Sequence, residues 1–254
     1  MRFFPSRIRR TLVVASLALG IGSTTAHAGL LDPGMQIEWW VNGSYVGLLT
    51  PTGVYDENHG WWNYQGFATD LASGVTLNFN LNGDPDPLIS GNLTVENPFL
   101  PVVDITLVVL LPIAPLLPNG SEMQGSAAVG LTTDAGGGSL STFGGKPLWQ
   151  GLIDGIAVGN DASLFFDPFA LAIGGLGSSG SSGNFGAPFM VAGPSVLQSI
   201  GIEINFSLTQ NDQASITSVF FVIPAPGVLG LLAIGSLVIG RRRRRRAEAV
   251  ASSQ

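Results

Sequence analysis

Val75-Thr76-Leu77-Asn78-Phe79-Asn80-Leu81 places an apolar side chain at every odd position and a polar one at every even position. Successive side chains of a strand point to opposite faces, so a period of two describes a strand with one face in a core and the other in water. Asn82-Gly83-Asp84-Pro85-Asp86-Pro87 follows, a turn-forming run that closes it. Working outward, Asn92-Leu93-Thr94-Val95-Glu96 and Ile202-Glu203-Ile204-Asn205-Phe206-Ser207-Leu208 alternate in the same way. Residues 35–41 and 215–223 read as further strands. Residues 102–111 form a longer apolar run that Pro112, Pro115 and Pro118 stop short of membrane-spanning length, which predicts a central strand leading into an extended segment. Gly, Asn and Pro punctuate these strands, and no amphipathic helix interrupts them. The expected architecture is all-β, an antiparallel, jelly-roll-like β-sandwich. Two glycine-rich stretches, 134–145 and 173–188, read as a loop and as a flexible loop or linker.

Composition narrows the setting. Cysteine is absent from the 254 residues, so neither a disulfide nor a thiolate site supports the fold, and burial must do so. Charged residues make up only 11% and glycine numbers 35. Both suit an extracellular β-protein better than a cytosolic enzyme. Ten of the 11 basic residues crowd the two ends; between residues 29 and 240 Lys146 alone faces 16 acids, a net charge of −15. Such a body repels nucleic acid, and no nucleic-acid partner is expected. Asp84, Asp86, Asp154, Asp161 and Asp167 offer oxygen ligands for a structural calcium, yet no segment has the spacing of a calcium loop. The expectation is therefore no cofactor and no metal, with structural calcium as the alternative.

The ends carry an address. Arg2, Arg7, Arg9 and Arg10 precede an apolar stretch at residues 12–21, and Ala26-His27-Ala28 supplies an A-x-A cleavage pattern. These are the three parts of a secretory signal peptide, cut by signal peptidase after Ala28. At the other end Pro224-Ala225-Pro226 precedes 14 apolar and small residues, 227–240. As a helix they would span roughly 21 Å, short of a hydrocarbon core of about 30 Å. Arg241, Arg242, Arg243, Arg244, Arg245 and Arg246 then form a stop that stays on the cytoplasmic side.

A proline-bearing tripeptide, a short Gly/Leu/Ala-rich helix and a terminal arginine cluster resemble the PEP-CTERM sorting signal over residues 223–246, with Ala225 where the family usually has Glu. The resemblance implies export by a Gram-negative, exopolysaccharide-producing bacterium and transient anchoring in the inner membrane by a C-terminal transmembrane helix. It also implies cleavage near the tripeptide by an exosortase-type transpeptidase. The implied organisation is a signal peptide at 1–28, whose apolar stretch is helical, and a β-sandwich domain at 29–223. A sorting tail at 224–246 and a cytoplasmic end at 247–254 complete it.

Within the body, the aromatic residues are the candidate contact site. Trp39, Trp40, Trp61 and Trp62, with Tyr45, Tyr55 and Tyr64, fall within 26 residues. If both Trp-Trp pairs lie in strands, one ring of each pair turns away from the core and can stack on a sugar face; a covering loop or neighbouring strand is the other possibility. The candidate glycan contacts are Trp39, Trp40, Trp61, Trp62 and Tyr64. His59 is the body's one histidine, too few for a histidine metal centre. No Gly-x-Ser-x-Gly elbow accompanies it. The expected function is non-enzymatic: an exported protein of the cell surface or extracellular matrix, associated with exopolysaccharide and biofilm. A secreted carbohydrate-active enzyme using an acid pair and an uncleaved single-pass anchor are the alternatives.

Overall fold

In the computed structural model of the protein, which describes residues 31–225, the alternating run forms a strand that continues to Asp84. Leu77, Phe79 and Leu81 are buried, while Asn78 and Asn80 are exposed. In chain order the strands are β1 (Gln36–Val41), β2 (Ser44–Leu49), β3 (Val54–Asp56), β4 (Trp61–Thr69), β5 (Thr76–Asp84), β6 (Leu88–Asn97), β7 (Val102–Pro112), β8 (Ser121–Thr133), β9 (Gly138–Ser141), β10 (Trp149–Ile153), β11 (Ile156–Ala157), β12 (Ser163–Leu164), β13 (Ala170–Ile173), β14 (Gly177–Phe185), β15 (Val191–Gly193), β16 (Ser199–Thr209) and β17 (Asp212–Pro224). A single 3-10 turn at Asn160–Ala162 is the one helical element among the described residues.

The described residues are all-β, built into two antiparallel sheets. One has nine strands on the path β11-β10-β16-β7-β1-β2, with β12 on β10, and β9 joining β16 to β13. The other has eight, on the path β14-β8-β17-β6-β5-β4-β3, with β15 on β8. The chain passes repeatedly between sheets: β1 and β2 lie in the first, β3 to β6 in the second, β7 in the first and β8 in the second.

Both sheets turn their apolar faces to one core. In β7 the inward positions Val103, Ile105, Leu107, Val109 and Leu111 are fully buried, and β16 contributes Ile200, Ile202, Ile204, Phe206 and Leu208. Trp149 of the first sheet meets Phe220 of the second edge-on at 6.0 Å, and Phe185 closes the cluster at 5.9 Å from Trp149. Each such side chain gains about 1.5–3 kcal/mol on leaving water. In a chain without disulfides, this burial opposes the conformational entropy of the unfolded state.

Two readings of the glycine-rich stretches are corrected. Residues 173–188 are not one flexible loop or linker: Gly177–Phe185 forms β14 and pairs with β8 through nine consecutive positions, from Gly177 opposite Thr133 to Phe185 opposite Gly125. Serine and glycine show no apolar period, but an edge strand needs only backbone groups to join a ladder, and β8 supplies them. The 134–145 stretch contains β9, which anchors buried Leu140. Glycine at position 138 is sterically required, because a Cβ there would overlap the Asp212 carboxylate.

Gly91 combines φ +140° with backbone contact, since a Cβ would strike the Asn80 carbonyl of the neighbouring strand. Gly91→Ala is expected to cost about 1–3 kcal/mol in urea unfolding. Gly130→Ala, whose Cβ would meet nothing closer than 3.8 Å, is expected to shift stability by under about 1 kcal/mol in either direction.

Candidate functional site

The strand geometry divides the aromatic cluster. In β1, Trp39 points into the core at 2% exposure, while Trp40 turns to the opposite face and packs against Tyr45 of β2 at 5.4 Å. In β4, Trp62 is buried against Tyr55 at 5.4 Å, and Trp61 lies on the outer side, stacked on His59 at 4.8 Å and 7°. Tyr64 follows two residues later on the inward face and is fully buried. Trp39, Trp62 and Tyr64 thus present no ring face to a ligand. Trp40 and Trp61 remain half-exposed, on different sheets and each with its own partner, and pairing does not bring them into one platform.

Tyr64 holds the N-terminal segment instead. Its hydroxyl donates to Asp32 Oδ1 at 2.6 Å, and Gly53 and Gly34 donate backbone N–H groups to the same carboxylate at 2.6 and 2.8 Å. Burial, with the Asp32 charge, pushes the Tyr64 hydroxyl well above the ordinary phenol range, so it stays a donor. Desolvation raises the Asp32 carboxyl, but the Tyr64 bond and the two backbone donors outweigh it and leave the group below its ordinary value.

Several of the remaining candidate residues are occupied in turns and networks. His59 Nδ1 lies 2.6 Å from Asp56 Oδ2 in an exposed hairpin, and this bond lowers the Asp56 carboxyl. Asp154 accepts backbone N–H groups from Leu197, Gln198 and Ser199, and Asp84 accepts that of Asp86. Asp167 accepts the Thr142 hydroxyl at 2.6 Å. No group of three or more potential metal ligands occurs among the described residues. Glu203 is raised by burial, but Lys146 at 2.9 Å, together with Asn205 and Gln150, brings it below its ordinary value. The Asp212 carboxyl is raised by desolvation, and it is buried beside Thr209.

Pro224 is the last residue of β17, opposite Ser121, and the Ala225 N–H donates to the Gly120 carbonyl at 3.3 Å. Pro226, Arg241–Arg246, Ala26 and Ala28 lie outside the described residues. No helix among the described residues is long and apolar enough to cross a membrane.

A surface that tryptophan spacing does not announce lies on the outer face of the eight-stranded sheet. One transverse row runs Phe67, Asn78, Thr94, Ser215, Gly130, Gly180 across β4, β5, β6, β17, β8 and β14. The next row runs Gln65, Asn80, Asn92, Thr217, Ala128, Ser182, and a third holds Asn63, Asn82, Ser90, Val219, Ser126, Asn184. None of these side chains is charged. Two shallow grooves, of about 450 and 420 Å³, open on this face. The available signal was the even-numbered half of the 75–81 pattern: its polar positions are Thr and Asn, never Lys, Glu or Asp.

No protein-family model matches the chain, and no curated protein matches it. Among solved structures it is similar to the enzymatically active domain of bacteriophage CBA120 tailspike protein 4, with 11% identity, a TM-score of 0.23 and 73% of this chain covered. The chain spans only 19% of that domain's length. A cyclase from Fischerella sp. TAU is also similar, at 11% identity and TM-score 0.22 over 68% of this chain and 98% of that one. At these TM-scores neither likeness carries an argument about fold or function.

Trp39→Ala is expected to cost about 3–5 kcal/mol and Trp40→Ala about 1 kcal/mol or less, read from denaturant midpoints. The Asp32 carboxyl is depressed in the folded state, so its stabilisation is complete above its unfolded pKa and is lost as pH falls through the folded one. The difference in Tm between wild type and Tyr64→Phe is therefore expected to hold between about pH 5 and 7 and to narrow below about pH 4.

Proposed function

We propose that this is an exported, non-enzymatic protein of the cell surface or extracellular matrix, sorted by its C-terminal tail and associated with exopolysaccharide. The observation that carries the proposal is the order of parts from the last residue of β17 onward. Pro224-Ala225-Pro226 comes first, then a 14-residue apolar segment at 227–240, then six consecutive arginines. The arginines resist translocation and hold the tail at the cytoplasmic face. The short helix sets the tripeptide near the outer side of the membrane, where an exosortase-type transpeptidase cuts. A signal peptide ending at Ala28 starts export, and signal peptidase removes it.

The finer architecture in this reading is a jelly-roll-like sandwich flanked before processing by a signal helix and a transmembrane helix. The repeated passage of the chain between sheets supports the first part. The end of β17 supports the cleavage position. Pro224 closes a central strand, and cutting after it or after Ala225 leaves every described strand pairing with the released body. The body then carries a net charge of −15, with no arginine left.

Intact mass of the protein exported by its native host tests this. The expected species begins at or near Gly29 and ends between Pro224 and Pro226, with or without an added group on the new end. A species that ends at Gln254 and partitions with membranes overturns the sorting proposal in favour of a simple anchor.

A further inference from the structure

Within the amide-rich outer face, the groove bordered by Phe67 has the makings of a binding site. Phe67 is 63% exposed, although it lies within a nine-residue strand. Gln65, Asn78, Asn80 and Asn92 surround it in the groove of about 450 Å³. The amides are ordered by one another: Asn63 Nδ2 donates to Asn80 Oδ1 at 2.8 Å and to Asn82 Oδ1 at 2.9 Å. Asn92 Nδ2 donates to Thr217 Oγ1 at 3.0 Å. A primary amide has two donors and two acceptor lone pairs. Asn78, Asn80 and Gln65 are exposed, so unused capacity points outward from a rigid strand ladder.

We infer that this face binds an uncharged polysaccharide chain, with Phe67 stacking on the C–H face of a sugar ring and the Asn/Gln row bonding its hydroxyl rim. A pyranose pairs an apolar face with neighbouring hydroxyls that both donate and accept, and an exposed aromatic ring beside neutral amides matches both features. Charge selects among polymers. The three middle rows carry no charge and the body around them is strongly acidic, so an anionic polysaccharide is repelled while a neutral one is not. Six strands at about 4.8 Å spacing make the face roughly 24 Å wide, enough for several sugar rings. The inference rests on the matrix reading for its partner class and not on the sorting tail.

Affinity electrophoresis of the exported protein, in native gels containing dextran, hydroxyethylcellulose or galactomannan, with alginate as the acidic comparison, tests it. At least one uncharged polymer is expected to retard the protein, alginate is not, and added NaCl changes the retardation little. Phe67→Ala with Asn80→Ala is expected to weaken binding at least about tenfold. Asn78→Asp, an exposed substitution that leaves packing intact, is expected to weaken it too, whereas Trp40→Ala is not. Near-UV circular dichroism checks that each variant is folded. Retardation that persists in the Phe67/Asn80 variant, or that Trp40→Ala abolishes, overturns the assigned face and leaves the matrix reading standing. Absence of retardation by all three uncharged polymers overturns both the face and its polysaccharide partner. A protein that sediments as a dimer dissociated by the same substitutions shows the face to be a self-association surface, and the inference falls.

Discussion

The turn between β16 and β17 is the constraint on which the rest of the molecule depends. β16 pairs with β7, β10 and β9 in one sheet, and β17 pairs with β6 and β8 in the other. A two-residue link, Gln210 and Asn211, therefore carries the chain from the middle of one layer to the middle of the second. Asn211 takes φ +59°, a left-handed conformation that asparagine tolerates better than most residues. Asn97 locks the crossing: buried in the core, it donates to the carbonyls of Leu208 and Leu100, while its own carbonyl accepts the Asn211 N–H. With two long strands joined this tightly, the spacing of the two apolar faces is set, and Phe206, Trp149 and Phe220 fill the gap.

The same crossing decides which surfaces remain for contact. Inward alternation consumes Trp39, Trp62 and Tyr64, whose rings are packed in the core. What stays outside is the polar half of each strand. On the eight-stranded sheet the middle of that half is rich in amides and hydroxyls, several of them linked across strands. Such a surface is ordered by its own hydrogen bonds before any ligand arrives, which reduces the entropy that binding must overcome.

Much of the strand content was legible in the sequence, because burial of one face imposes a period of two. Residues 76–81, 92–96 and 202–208 all lie within strands of that kind, and the apolar run at 102–111 falls in the central β7. β14 was not legible: Gly and Ser carry no hydrophobic period, and its place is dictated by a partner strand some 45–60 residues earlier in the chain. Sheet membership was hidden for a similar reason, since nothing local distinguishes a hairpin within one sheet from a crossing between two. The alternation of Trp39-Trp40 and Trp61-Trp62 was readable, but their placement on different sheets was not. The amide rows were invisible for the same cause: Asn63, Asn80 and Asn92 become neighbours only once β4, β5 and β6 pair.

Charge connects the proposed sorting to the proposed contact. Removal of the ends takes ten of the eleven basic residues with them and leaves a body that repels its own copies and anionic surfaces at long range. Any lasting contact then has to form where charge is missing, and the middle rows of the outer face meet that condition. Exchanging water for sugar hydroxyls at a neutral amide is close to balanced, so each contact is weak. A chain polymer lying across several rows adds such contacts without a further loss of overall translation and rotation, and avidity grows with the length engaged. The physics of the surface therefore favours an adhesive that holds long neutral chains along a flat sheet over a lectin that encloses one sugar in a pocket.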